Sequence, residues 1–176
     1  MSAPKISVII TCYNYATYVA QAIDSVLSQD YDAVELVVVD DASTDNSRDI
    51  ISGYGDSLKA CFVSPNGGHG NAFNTGYAAS TGDVVMFLDA DDFLRPDTLS
   101  HVAKDFDPRE SMRQYRMDLV DADSTPYDIH PKWEQPFMTD TAKATVLQAG
   151  SFPTTVTSGL VFSRAFLEQV MPMPPE

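Results

Sequence analysis

Basic residues are scarce in this chain of 176 residues: 11 Lys and Arg stand against 25 Asp and Glu, a formal net charge of -14. Nucleic acid and anionic membrane surfaces both select basic faces, so neither is an expected partner. Cysteine is nearly absent too. Cys12 and Cys61 are the two present; they form no disulfide framework and have no metal-ligand spacing, so the expectation is a reducing, cytoplasmic compartment. The N-terminus lacks the apolar core of a signal peptide, and no apolar run approaches the roughly 20 residues of a membrane helix. Internal repeats and low-complexity segments are missing. The apolar fraction of 44% fits one soluble globular domain with a sizeable core.

What is present is led by Asp83-Val84-Val85-Met86-Phe87-Leu88-Asp89-Ala90-Asp91-Asp92. An apolar, partly β-branched run followed at once by three carboxylates reads as a buried strand opening onto an acidic site. Strand side chains alternate, so Asp89 and Asp91 point the same way if the extended conformation lasts that far, with Asp92 turned aside. Convergent carboxylates repel and lose hydration unless a cation or several donors meet them. A hard divalent ion, Mn²⁺ or Mg²⁺, suits such a pair, because it takes oxygen ligands and keeps positions open for a substrate's phosphates. The alternative is a solvated acidic turn after a core strand.

Upstream, Ile6 to Thr11, Val34 to Val39 and Lys59 to Ser64 read as strands, the first two buried on both faces. Val19, Ala22, Ile23, Val26 and Leu27 recur at helical spacing. A second helix ends near Ser52, before Gly53 and Gly55, and a third runs from about Asn71 to Ser80, behind the loop Pro65-Asn66-Gly67-Gly68-His69-Gly70. This alternation gives a parallel sheet with right-handed crossovers, whose ligands bind beyond the carboxyl ends of the strands. Thr11, Asp40 with Asp41, the Asn66 loop, and Asp89 with Asp91 all fall there. Further on, Pro96 opens a helix carrying Leu99, Val102 and Phe106. Tyr115 to Val120 reads as a strand, residues 121–141 as a long loop with one strand at most, and residues 154–162 as strand and turn, with Ser163 capping a helix to Val170.

Four blocks carry a resemblance: Ile6-Ser7-Val8-Ile9-Ile10-Thr11 through Asn14, Val37-Val38-Val39-Asp40-Asp41-Ala42-Ser43-Thr44-Asp45, Asn66-Gly67-Gly68 through Asn74, and Gly82-Asp83 through Asp92. In this order and spacing they resemble the N-terminal part of family 2 glycosyltransferases. The resemblance implies the GT-A fold, an α/β, Rossmann-like, mostly parallel sheet flanked by helices. It implies a single domain in which residues 1–106 form the donor half and 107–176 begin an incomplete acceptor half. The implied reaction is inverting transfer of a sugar from a nucleoside diphosphate-sugar, a UDP-sugar first, to an acceptor hydroxyl. Thr11 and Tyr13 then lie against the nucleobase, and Asp41 accepts a hydrogen bond from it. Asp40 supports that loop or reaches the ribose, while Asn66 and its glycines let the backbone approach the donor. Asp89 holds the ribose or a metal-bound water, and Asp91 binds the Mn²⁺ or Mg²⁺ that bridges the phosphates and stabilises the leaving group.

Several residues keep two readings. Thr11, Tyr13 and Asn14 are donor contacts or a polar turn, Asp41 and Asp45 donor contacts or helix caps, Asn66 and Asn74 site residues or turn and cap residues, and His69 a phosphate contact or a surface group. Asp118, Asp121 and Asp123 border a solvated turn, and Trp133 stands where an acceptor sugar would stack. Two departures from the family's pattern are visible. Phe73 occupies a position where many members carry a basic residue, and the general base, a downstream carboxylate, is expected beyond Glu176.

Rival readings are weaker. A haloacid dehalogenase-type phosphatase places its Asp-x-Asp at the first strand, and here the pair follows the fourth. A nucleotidyltransferase would carry a basic, glycine-rich signature near the first strand, and a dinucleotide-binding Rossmann domain would carry glycine between Thr11 and Thr17. A non-catalytic nucleotide-binding module differs from an enzyme by product formation. The expectation is that these residues bind donor better than they transfer sugar. Turnover at saturating donor should therefore stay far below that of a longer chain, and comparable turnover would overturn the expectation.

Overall fold

The computed structural model describes residues 3–107, 109–132 and 156–174. The chain divides into two compact units, residues 1–113 with 161–176, and residues 114–160.

The first unit is built on β1 (Ile6–Cys12), buried along its whole length, with β2 (Val34–Asp41) and β4 (Val84–Asp89) parallel on either side. A strand apolar on both faces needs cover on both, and this is what the unalternating runs encode. β3 (Lys59–Val63) pairs parallel with β2, and β8 (Leu160–Ser163) pairs antiparallel with β4. With β5 (Met112–Gln114) the sheet order is β3-β2-β1-β4-β8-β5. Register places Thr11 beside both Val39 and Asp89, and Cys12 beside Asp40. The polar strand ends therefore gather at one edge of the sheet.

Helix α1 (Val19–Leu27) buries Val19, Ala22, Ile23 and Val26, the face its spacing implies. A short α2 (Ser47–Ser52) follows β2. Helix α3 (Gly68–Ala79) starts three residues earlier than its sequence suggests, because the Asp41 carboxylate accepts from the Gly67 and Gly68 amides and draws the glycine loop into the first turn. Phe73 and Ala72 of α3 pack with Ile9, Val39 and Phe87 of the sheet. Gly76 lies where the two layers touch: a Cβ there would stand 2.2 Å from Ile9 Cγ2 and 3.2 Å from Val39 Cγ2. No side chain fits between them.

Past β4, the segment leading to α4 (Thr98–Asp105) is pinned to α1. Leu94 N donates to Ser25 Oγ at 3.0 Å, Leu99 N to Gln29 Oε1 at 2.9 Å, and Gln29 Nε2 to the Arg95 carbonyl at 2.8 Å. Helix α5 (Arg164–Val170) is capped as its sequence suggests, with Ser163 Oγ accepting from Phe166 N at 3.3 Å. Behind it, Asn74 holds the backbone of Met173 in both directions: Nδ2 donates to its carbonyl at 3.0 Å, and Oδ1 accepts from its amide at 2.7 Å.

The second unit contains a hairpin of β6 (Met117–Val120) and β7 (Pro126–His130). Its turn is organised by Asp121, whose Oδ1 accepts from the amides of Asp123 and Thr125. The strand expected from Tyr115 to Val120 starts later, at Met117: residues 115–116 belong to no strand, and β5, in the other sheet, ends just before them at Gln114. Trp133 and residues 154–155 lie outside the described residues. Among the described residues no helix is long and apolar enough to cross a membrane.

At the amino ends of the strands, Glu35 joins three segments. Its carboxylate accepts from Ser7 Oγ at 2.6 Å, from Thr81 N at 2.6 Å and from Lys5 Nζ at 2.9 Å. Burial alone would raise its pKa, but these donors outweigh burial and bring it down from 4.5 to about 2. A folded-state value below the unfolded one gives stability that is complete above about pH 4.5 and is lost as pH falls toward 2. Glu35→Gln should cost about 1–2 kcal/mol near neutral pH by urea denaturation, and the difference from wild type should shrink steadily below pH 4.5. A pH-independent difference would contradict the assignment.

Candidate active site

The carboxyl ends of β1, β2 and β4 open on a cleft of about 450 Å³ whose lining includes Thr11, Tyr13, Asp41, Asn66, Asp89 and Asp91. Its walls are loops, and these are laced together by side chain to backbone hydrogen bonds. Asn14, held at φ 62, accepts on Oδ1 from Thr44 N at 2.7 Å, and its own amide donates to Ser43 Oγ at 2.9 Å. Tyr15 N donates to Ser47 Oγ at 3.1 Å and Ala16 N to Asp45 Oδ2 at 2.9 Å. The loop after β1 is thus fastened to the loop after β2. Asn14 takes its polar-turn reading here. Asp45, which also accepts from the Ser47 amide and hydroxyl at the start of α2, serves both the loop and the helix.

Ala42 has φ 65, a left-handed conformation that costs a residue with a Cβ about 1–2 kcal/mol. Its neighbours hold it there. Asp40 on one side is fully buried, with Oδ1 accepting from Ser43 N at 3.2 Å and Oδ2 without a hydrogen-bond partner. Asp40 therefore sits beneath the cleft and supports the loop. Asp41, on the opposite face of the strand, lines the cleft. Each of its oxygens accepts a glycine amide at 2.9 Å, from Gly67 and Gly68, and its carbonyl accepts from Asn66 Nδ2 at 2.8 Å. Asn66 Oδ1 accepts in turn from Gly68 N at 3.2 Å. One carboxylate thus sets the path of the whole glycine loop.

Across the cleft, extended structure stops at Asp89, and a turn closed by Asp92 N to Asp89 O at 3.0 Å brings Asp91 round. The two carboxylates meet at the cleft through that turn and not through strand alternation. His69 reaches Asp89 Oδ1 at 3.5 Å and Thr11 Oγ1 at 3.3 Å, with its ring resting on Phe73 at 4.2 Å between centroids. Tyr15 lines the same cleft, and the negative charge of Asp91 pushes its phenol's pKa up. His69 is half exposed at the cleft wall. Asn74 is not among the residues lining it and serves the Met173 clasp. Tyr15 carries no motif signal beyond its place in the loop after a central strand. Among the described residues no group of three or more His, Cys, Asp or Glu gathers to hold a metal by itself.

A cleft with aromatic side chains, loop amides and three carboxylates suits a ligand with a planar end and a phosphate-bearing middle brought in with a cation. Comparison with known proteins agrees. The model of glycosyl transferase family 2 matches residues 7–171. An uncharacterized glycosyltransferase of Nostoc sp. is 41% identical over 97% of this chain and 54% of its own length, so the chain spans about half of that relative. Chondroitin synthase of Pasteurella multocida is 35% identical over 58% of this chain and 11% of its own. Among solved structures, residues 1–349 of S. aureus TarS in complex with UDP-GlcNAc superpose with TM-score 0.69 at 25% identity, covering 94% of this chain and 47% of that one. The mannosyltransferase of Pyrobaculum calidifontis in complex with GDP-Man and Mn²⁺ shares the fold, with TM-score 0.69 at 24% identity over 97% of this chain and 48% of its own. The chain belongs to glycosyltransferase family 2, and its fold is GT-A.

Asp41→Asn leaves one carboxamide oxygen for two loop amides and turns an N–H group toward the other. Bonds to a charged acceptor contribute about 1.5–3 kcal/mol, so the variant should lose about that much stability in urea, with faster amide exchange at Gly67 and Gly68. Unchanged exchange there would show that the loop holds its path without Asp41.

Proposed function

We propose that this family 2 chain binds a nucleoside diphosphate-sugar, a UDP-sugar first, in the cleft at the ends of β1, β2 and β4, for inverting transfer to an acceptor hydroxyl. The observation that carries the reading is the convergence of Thr11, Tyr13, Asp41, Asn66, Asp89 and Asp91 on that one cleft. The UDP-GlcNAc complex of the S. aureus neighbour supports the choice of nucleotide. Residues 1–106 are the donor half, and 107–176 begin the acceptor half.

Tyr13, 46% exposed at the cleft wall, offers a ring face to the base. Asp41 keeps lone pairs beyond those used by Gly67 and Gly68, and these accept from a base N–H. Thr11 closes the floor, Asp40 holds the Ser43 turn from below, and Asn66 with its glycines brings backbone N–H groups near the donor.

Asp89 at the end of β4 and Asp91 in the turn after it are oxygen donors, which suits Mn²⁺ or Mg²⁺: such ions bind through one or two carboxylates and complete their shell with substrate phosphates. The ion supplies charge stabilisation for the departing nucleoside diphosphate. The chain's own residues orient the donor and keep its anomeric carbon facing the acceptor side. None of them is assigned here as the general base. The free thiols of Cys12 and Cys61 suit a reducing cytoplasm.

Calorimetric titration with UDP, GDP and dTDP, first with Mn²⁺ and then with chelator, tests the reading. UDP should bind more tightly than the others, and only with the metal. Asp91→Asn should weaken that binding by about tenfold or more, as loss of a ligand's charge does. Absence of binding by all three nucleotides would overturn the proposal.

A further inference from the structure

Among the described residues, three that are not glycine hold a left-handed backbone, and two of them, Asn14 at φ 62 and Ala42 at φ 65, sit in the loops that wall the cleft. Each directly follows a residue assigned to the base: Tyr13 precedes Asn14, and Asp41 precedes Ala42. The two loops are joined at that point. Asn14 N donates to Ser43 Oγ at 2.9 Å, and Asn14 Oδ1 accepts from Thr44 N at 2.7 Å, Thr44 Oγ1 at 3.1 Å and Asp45 N at 3.3 Å. Ser43 is itself held from below, where its amide donates to Oδ1 of the fully buried Asp40 at 3.2 Å. On the other side of Tyr13, Cys12 is buried in β1 and paired in register with Asp40. Asn14 is exposed and is not among the residues lining the cleft. Its oxygen is nevertheless committed to three donors of the neighbouring loop, in a backbone conformation that few residues adopt.

We propose that Asn14 is a positioning residue for base recognition: it locks the Tyr13 segment to the Asp41 segment, so that ring and carboxylate select one base as a preformed unit. The inference rests on the reading of Tyr13 and Asp41 as base contacts. An aromatic face alone accepts every base, since each has a π surface. A carboxylate alone accepts from any base that offers an N–H. Selectivity needs both at a set separation, and a loop free to shift would forfeit it. Asparagine suits the position for two reasons. Its short side chain tolerates left-handed φ, and its carboxamide oxygen reaches the backbone N–H groups of the facing loop. The backbone of Tyr13 is thereby fixed between a buried strand residue and a tied turn.

Asn14→Gly keeps the left-handed backbone accessible and removes the oxygen, while Asn14→Asp keeps an acceptor oxygen at the same reach. Ser43→Ala opens the link from the facing loop. Wild type and these variants are compared by circular dichroism for folding and by calorimetric titration with UDP, GDP and dTDP in Mn²⁺. Asn14→Gly should bind the preferred nucleotide about tenfold more weakly, within what one base–aromatic stack contributes, and the least favoured one little differently, so that discrimination shrinks. Ser43→Ala should act in the same direction, and it carries the test if Asn14→Gly fails to fold. Asn14→Asp should retain the wild-type order and spacing of affinities. Equal losses for all three nucleotides would make Asn14 a support of the loop alone and overturn the inference, as would unchanged affinities. A loss in Asn14→Asp as large as in Asn14→Gly would overturn it too. A wild type that binds all three nucleotides alike would overturn it and leave a diphosphate site without base choice. Binding of none would overturn the donor reading and this inference together.

Discussion

Asp40 and Asp41 at the end of β2, and Asp89 with Asp91 at and just past the end of β4, stand on either side of β1 at one edge of the sheet, and their mutual repulsion has to be answered where it arises. Asp41 takes two loop amides and Asp40 takes one, while His69 reaches to 3.5 Å from Asp89 out of the first turn of α3. The start of α3 and the path of the glycine loop follow from those answers. The cleft wall is thus assembled from the same hydrogen bonds that make a crowded acidic edge tolerable.

Much of this was legible in the sequence because parallel strands buried on both faces leave an unmistakable run of apolar residues, and topology then says that their far ends share an edge. Thr11, Asp41, Asn66, Asp89 and Asp91 are located by that reasoning. Which of two adjacent carboxylates faces the ligand is another matter. Alternation separates Asp40 from Asp41 but does not say which side holds the cleft, and only the packed sheet shows Asp40 beneath and Asp41 along it. Asn14 with Thr44, and Asn74 with Met173, are pairs distant in sequence whose meeting depends on loop paths that no local pattern encodes. The break between β5 and β6 was hidden for a similar reason, since a strand that changes sheets keeps its β-forming residues across the change.

Phe73 shows how a departure from a family's habit acquires a physical sense. A basic residue often stands at that position, but here the side chain is nearly buried, with its ring 4.5 Å from Phe87 on one side and 4.2 Å from His69 on the other. The position belongs to the core in this chain. Its ring lifts the imidazole of the preceding helical turn to the cleft wall, so a polar group reaches the same neighbourhood from a different residue.

Gly76 carries a consequence for how such a cleft diversifies. With no room for a methyl group between α3 and the sheet, the helix cannot slide or tilt over Ile9 and Val39 to suit a new ligand. Adaptation is confined to the rim, where Tyr13 and Tyr15 project from a loop whose backbone is already tied and His69 from the first turn of α3. A directed-evolution library aimed at donor preference would sample those three positions freely and hold position 76 constant, for there the smallest step in side-chain size separates a seated helix from a displaced one.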